Sequence, residues 1–183
     1  MNVNDPLRIC LVGAESTGTT SLTRALASRY RTQWVPEYGR EYTEVRRYEG
    51  KTEWLSVEFE QIARQQQSNE DAFALRANQV LFCDTDALAT CIWHERYMQF
   101  WSHKVEAIAE PQRYAHYFLT DCDIPFVPDR IRDSEHLRVW MTQRFAEEFV
   151  RRQLPWTLLS GAFEHRLEEA VTKVDQLLLN RPR

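Results

Sequence analysis

Gly13-Ala14-Glu15-Ser16-Thr17-Gly18-Thr19-Thr20 is the stretch on which the fold turns. It matches the phosphate-loop pattern, glycine, any four residues, glycine, lysine and a hydroxyl residue, at every fixed position except the lysine. Such a loop curls backbone N–H groups around phosphate oxygens at the positive end of a helix. Two glycines at this spacing also suit an ordinary strand-to-helix turn, so the flanks decide. Leu7 to Val12 (LRICLV) is a short, almost wholly apolar run, the pattern of a strand buried on both faces of a parallel sheet. From Thr19 to Arg31, Leu22, Ala25, Leu26 and Tyr30 recur at helical spacing, with Arg29 and Arg31 at the negative end of the helix dipole. Strand, loop and helix follow in the order the mechanism needs. Gly13, Glu15, Ser16, Thr17, Gly18, Thr19, Thr20 and Ser21 are therefore the expected phosphate contacts, and the Thr20 hydroxyl is the expected ligand of Mg²⁺.

Thr19 stands where a lysine normally reaches the β- and γ-phosphates. Lysine is scarce throughout, with only Lys51, Lys104 and Lys173 in 183 residues. Lys51, Arg130, Arg132 and Arg138 are the candidate replacements, and the sequence does not choose among them.

Outward from the loop, strands alternate with helical patterns. Thr32–Val35 reads as a second strand, residues 39–78 as mostly helical, Gln79–Cys83 as a third strand, and a tryptophan-rich helical segment runs to Pro111. Tyr114–Thr120 reads as the fourth strand, Ser134 to about Arg152 as a helix, and Trp156–Leu159 as the fifth strand. A last helix carries Phe163, Leu167, Ala170, Val171, Val174, Leu177 and Leu178 on one stripe. The alternation predicts the α/β class: a five-stranded parallel sheet with helices on both faces, as one domain over residues 1–183.

Ligands of open parallel sheets bind beyond the carboxyl ends of the strands, which directs attention to the segments after strands two, three and four. Glu37-Tyr38-Gly39-Arg40-Glu41 follows the second strand, and a carboxylate there is placed to accept a hydroxyl proton during phosphoryl transfer. The alternative is a solvated turn. Asp84 and Asp86 follow the third strand; one is expected at the metal, and the other binds substrate or caps the next helix. After the fourth strand, residues 121–138 carry Pro125, Pro128, Asp129, Arg130, Arg132 and Arg138, the composition of a lid whose arginines close over phosphate. A solvated charge run is the alternative. The six tryptophans read as core and groove filling, with at most one of Trp34, Trp93 and Trp101 stacking on a substrate ring.

Composition narrows the partners. A net charge of −4 and a pI of about 5.8 argue against binding nucleic acid or an anionic membrane. Cys10, Cys83, Cys91 and Cys122 fall singly in apolar segments, and the five histidines lack metal spacing. No apolar run approaches a membrane span, and the short start before the first strand is no signal peptide, so a cytoplasmic protein is expected. A homo-oligomer stays open.

Four segments in order, LVGAESTGTTSLTRALA, WVPEYGREYTE, LFCDTDALAT and DIPFVPDRIRDSEHLR, together resemble the ribosylnicotinamide kinase domain of bacterial NadR-type NAD-salvage proteins, members of the AAA-like group of P-loop NTPases. The resemblance covers almost the whole chain and implies a nucleoside-kinase-like fold with a small lid, ATP as co-substrate and Mg²⁺. It implies phosphorylation of the ribose 5′-hydroxyl of N-ribosylnicotinamide, an alcohol-acceptor phosphotransfer that yields nicotinamide mononucleotide. It implies substrate-side roles for Glu37, Tyr38, Arg40, Asp84 and Asp86, lid roles for Arg132 and Arg138, and a metal role for Thr20. Asp84 doubles as a metal ligand, and Glu37, Asp84 and Arg132 form the expected catalytic set. The chain departs from the family at Thr19, and at Arg130 where the lid usually has glycine. It opens close to the first strand, so the adenylyltransferase domain of fused members is not expected. Two other readings stay in view: a kinase for another nucleoside or small hydroxyl compound, and a non-catalytic ATP-binding sensor.

Overall fold

The computed structural model describes residues 5–110, 113–127 and 135–181. Five strands, β1 (Leu7–Gly13), β2 (Trp34–Val35), β3 (Val80–Asp84), β4 (His116–Thr120) and β5 (Trp156–Leu159), form one sheet in the order β2-β3-β1-β4-β5, every pairing parallel. The helices are α1 (Thr19–Tyr30), α2 (Tyr38–Tyr48), α3 (Ser56–Ala74), α4 (Ala87–Met98), α5 (His103–Ala109), α6 (Arg138–Arg151) and α7 (Phe163–Leu179). A 3₁₀ turn at Glu135–Leu137 leads into α6.

The central strands bury both faces, which is why β1 and β3 read as nearly unbroken apolar runs. Ile9, Leu11, Val80, Phe82 and Phe118 face the layer of α1 and α7, against Leu22, Leu26, Ala170 and Val174. Their neighbours Cys10, Val12, Leu81, Cys83, Tyr117 and Leu119 face Leu88, Ala89 and Ile92 of α4 and Met141, Phe145 and Phe149 of α6. The period of two along each strand delivers alternate side chains to the two layers. The third cluster, Phe59, Ala63, Ala87, Cys91, Val105 and Ile108, joins α3, α4 and α5.

The sheet order places the phosphate loop. β1 is central, with β3 on one side and β4 on the other, so the chain reverses direction across the sheet beside β1. A crevice opens at such a switch point, beyond the carboxyl ends of the strands.

Local chemistry refines the expected boundaries. The expected helical stretch 39–78 is two helices, because Gly50 takes φ +71 and its N–H and that of Lys51 close α2 on the carbonyls of Arg47 and Arg46. α3 restarts where the Glu58 carboxylate accepts the Leu55 N–H at 2.8 Å. Gln99, at φ +62, ends α4 with its N–H on the Glu95 carbonyl, which splits the tryptophan-rich segment. Phe163, expected to face inward, is 40% exposed; Arg166 is the buried residue of that first turn.

Candidate functional site: a phosphate loop and an aromatic wall

β1 ends at Gly13, where an added Cβ would collide with the hydroxyls of Thr17 and Thr120, so glycine is required by close approach alone. Gly18 takes φ +82 immediately before α1, and Ser16 takes φ +57. These left-handed residues curl the loop back over the start of α1, whose positive end faces the space the loop encloses.

Four side chains from elsewhere hold the loop. Arg166 of α7 donates to the Thr17 carbonyl at 2.8 Å and to the carbonyls of Gly161 and Asp121. Arg138 of α6 donates Nη2 to the Ile124 carbonyl at 3.0 Å and lies 3.4 Å from that of Ser16. Arg96 of α4 meets Glu15 at 3.0 Å, both buried. Thr120, the last residue of β4, joins the hydroxyls of Thr17 and Thr19 at 2.7 and 2.9 Å. The side chain in the lysine position is thus tied into the loop's own hydroxyl cluster.

Thr20 Oγ1 donates to Asp84 Oδ2 at 2.6 Å, joining the start of α1 to the end of β3. Beside them opens a cleft of about 310 Å³. The loop from Gly13 to Ser21 lines one end, and Glu37, Arg40, Gln66, Asp84 and Thr85 line its floor and side. Gln66 accepts the Tyr38 N–H at 2.9 Å, which fixes the first turn of α2 and the approach of Glu37. Arg40 lies 3.5 Å from Glu44, one turn along the same helix.

Trp54, Phe59, Trp93 and Tyr97 give the cleft an aromatic wall. Trp93 and Tyr97 stack with centroids 6.2 Å apart, and Trp54 lies 5.3 Å from Tyr97. Arg46 sits 4.0 Å over the Trp54 ring, and Arg96 lies 4.8 and 5.0 Å from the rings of Trp93 and Tyr97. Ile124, Pro125 and Val127 border the cleft after β4.

The expected loop residues, Glu37, Arg40 and Asp84 thus come together, and Trp93 joins them. Other expected residues lie away from the cleft lining. Asp86 does not line the cleft: buried at the start of α4, it accepts the Ala89 N–H at 2.7 Å, the contact of a helix cap, and the Tyr117 hydroxyl at 2.8 Å. Burial pushes its carboxyl up to about 6, against the opposing pull of those hydrogen bonds. Tyr38 offers its backbone N–H to Gln66 while its ring packs beside Tyr42, outside the cleft lining. Arg138, expected on phosphate, braces the loop through backbone carbonyls and does not line the cleft. Lys51 pairs with Glu49 on the surface, Trp34 packs against α1, and Trp101 binds Glu106, all three away from the lining. Asp129, Arg130 and Arg132 lie outside the described residues. Trp54, Gln66, Arg96, Thr120 and Arg166 had no local signal: each reaches the site from a distant segment through packing.

The trifunctional NAD biosynthesis/regulator protein NadR of Escherichia coli is 26% identical over 152 residues, covering 78% of this chain and 37% of that protein. The chain thus spans little more than a third of that curated relative's length. Two solved structures of NadR, one in complex with NR and one with NAD and AMP-PNP, superpose with TM-scores of 0.77 and 0.72 at 19% and 20% identity. Each match covers 97% of this chain and 53% or 51% of that one. Thymidylate kinase from Ehrlichia chaffeensis, at 12% identity, gives a TM-score of 0.63 over 93% of this chain and 99% of its own. The fold is therefore that of the nucleoside-kinase-like P-loop proteins. A family model for an AAA domain matches residues 8–166, so the chain belongs to the AAA_28 family of AAA domains.

Proposed function

We propose that this chain is an ATP-dependent phosphotransferase that works in the cytoplasm. Its acceptor, on this reading, is the ribose 5′-hydroxyl of ribosylnicotinamide, phosphorylated to nicotinamide mononucleotide. The carrying observation is the lining of one cleft, which brings the phosphate loop and the Thr20–Asp84 pair together with the indole rings of Trp54 and Trp93. A substrate that carries both a flat ring and a hydroxyl fits that lining. Its ring lies against indole faces, and its hydroxyl points at the triphosphate. The likeness to NadR, seen in complex with NR and with AMP-PNP, supports the same pairing of acceptor and donor.

The donor set suits Mg²⁺, a hard cation that takes one or two protein oxygens together with phosphate oxygens. Thr20 and Asp84 offer a hydroxyl and a carboxylate 2.6 Å apart. Bound there with ATP, the ion would neutralise charge on the β- and γ-phosphates. Backbone N–H groups from Gly13 to Thr20 and the α1 dipole hold the phosphates. Glu37 is the group to accept the proton of the acceptor hydroxyl, and Arg40 is the cation facing the same space.

A second reading rests on one observation. Thr19 stands at the motif position of the lysine, with its hydroxyl 2.9 Å from that of Thr120, which suits a nucleotide-binding sensor that does not turn over. ATP consumption measured with and without ribosylnicotinamide separates the two. Consumption stimulated by the nucleoside supports the kinase. ATP binding with no transfer to any nucleoside supports the sensor.

A further inference from the structure

Thr85, between Asp84 and Asp86, takes φ +71. Among the described residues, five other than glycine have positive φ, and Thr85 alone of them is β-branched. Arg31 and Gln99 cap helices, and Gln153 follows the cap of α6, but Thr85 lines the cleft. The left-handed region crowds a branched side chain against its own backbone, so such a residue persists only where its surroundings hold it.

The turn itself has a structural reason. Side chains two apart on an extended strand share a face, so a straight continuation of β3 would carry Asp84 and Asp86 to the same side. Instead Asp84 meets Thr20 of α1, while Asp86 caps α4 and meets Tyr117 in the other layer. The left-handed step at Thr85 separates the two carboxylates. Glycine or asparagine would make that step with less strain. Threonine is the strained choice, and what it adds is a side chain.

That side chain is unspent. The Thr85 N–H donates to the Leu11 carbonyl at 2.8 Å, and its carbonyl lies 3.4 Å from Gln66 Nε2. Its hydroxyl has no hydrogen-bond partner among the described residues. Gln66 also accepts the Tyr38 N–H, so Thr85 is tied to the segment that brings Glu37 and Arg40 to the cleft. A hydroxyl both donates and accepts, which matches a sugar hydroxyl.

We propose that Thr85 is a specificity-determining residue whose hydroxyl bonds a ribose hydroxyl of the acceptor other than the one phosphorylated, and that its strained backbone serves to aim it. The inference rests on the acceptor reading of the cleft. It makes the site selective for ribosides, because a group placed to bond a hydroxyl rejects the analogue that lacks it.

The test is calorimetric titration of ribosylnicotinamide and its 2′-deoxy and 3′-deoxy analogues into wild type, Thr85→Val, Thr85→Ser and Thr85→Gly. Wild type should bind ribosylnicotinamide about tenfold tighter than one of the two analogues, equivalent to about 1.4 kcal/mol. Thr85→Val keeps the branch and loses the hydroxyl, so its affinity should fall about tenfold and its discrimination vanish. Thr85→Ser keeps the hydroxyl and should retain both. Thr85→Gly should bind the nucleoside as weakly as Thr85→Val, yet melt about 2–4 °C higher than wild type as the strain is released. Mg²⁺-ATP affinity should be the same in all four. A purely structural residue would not lose acceptor affinity while the protein gains stability. Should Thr85→Val fail to fold, Thr85→Gly against Thr85→Ser decides. Equal affinity for ribosylnicotinamide with and without the hydroxyl overturns the Thr85 assignment and leaves the acceptor reading intact. A lower melting temperature in Thr85→Gly overturns the strain that the assignment invokes. No binding of ribosylnicotinamide to wild type removes the acceptor reading and the role of Thr85 with it.

Discussion

Arg96 of α4 and Glu15 of the phosphate loop meet at 3.0 Å in the interior, and the same guanidinium lies against the rings of Trp93 and Tyr97. One side chain thus joins the phosphate end of the cleft to its aromatic wall. Both partners are almost wholly buried, so the pair is held by desolvated charge. Arg96→Met removes this buried ion pair and should destabilise the protein by about 3–5 kcal/mol. The double variant Arg96→Met/Glu15→Gln should recover part of that loss, because the buried Glu15 charge is removed together with the guanidinium. Urea unfolding of the two singles and the double measures the coupling. Additive losses would show that Arg96 acts through its stacking on the rings and not through Glu15.

The Thr20–Asp84 contact sets a second expectation. Thr20→Ala removes a hydroxyl 2.6 Å from the Asp84 carboxylate and should weaken Mg²⁺-ATP binding about tenfold or more, close to 1.4 kcal/mol. ATP without Mg²⁺ should bind both proteins alike. Equal Mg²⁺-ATP affinity in calorimetry would count against this pair as the metal end of the cleft.

Glu37 faces the same cleft from the end of β2, and its part in proton transfer is separable from nucleotide binding. Glu37→Gln keeps the shape and removes the base, so turnover should fall at least ~10²-fold while ATP affinity barely moves. Near-normal turnover would put the acceptor hydroxyl elsewhere.

These residues differ in how far the sequence announces them. Gly13 and Gly18 were legible because a buried strand ends at one and an amphipathic helix begins at the other. Glu37, Arg40 and Asp84 were legible from a rule of topology, since each follows the carboxyl end of a parallel strand. Asp86 shows the limit of that rule. Two positions beyond Asp84, it serves as a helix cap, and sequence left cap and ligand side by side. Trp54, Arg96 and Arg166 were not legible. Trp54 lies in the turn between α2 and α3, Arg96 at the end of α4 and Arg166 in α7, and only packing of those elements on the sheet brings them to the loop. Arg166 sits within an apolar periodicity that reads as a plain core stripe, yet it is buried to hold three carbonyls. Thr120 looks like an ordinary strand residue until the register of β4 against β1 sets it opposite Gly13.

A last expectation concerns pH. Glu70 of α3 is fully buried and accepts the Tyr114 hydroxyl at 2.8 Å, with Arg8 3.6 Å away. Burial raises its carboxyl from 4.5 to about 7, outweighing the Tyr114 hydrogen bond and the nearby Arg113 and Arg8 charges. The folded chain therefore holds this proton where the unfolded chain has lost it. Below pH 4.5 both states are protonated and the group costs nothing; between 4.5 and about 7 only the unfolded state ionises. Stability contributed by Glu70 is thus present at low pH, falls across that window, and stays low above about 7. Glu70→Gln keeps a neutral acceptor for Tyr114 at every pH. The stability of the variant relative to wild type should rise by about 3 kcal/mol from pH 4.5 to 8, following the linkage of about 1.4 kcal/mol per unit of pKa difference. Urea unfolding of both proteins at several pH values reads this directly. A constant difference across the range would mean that Arg8 and Arg113 keep Glu70 ionised in the folded state.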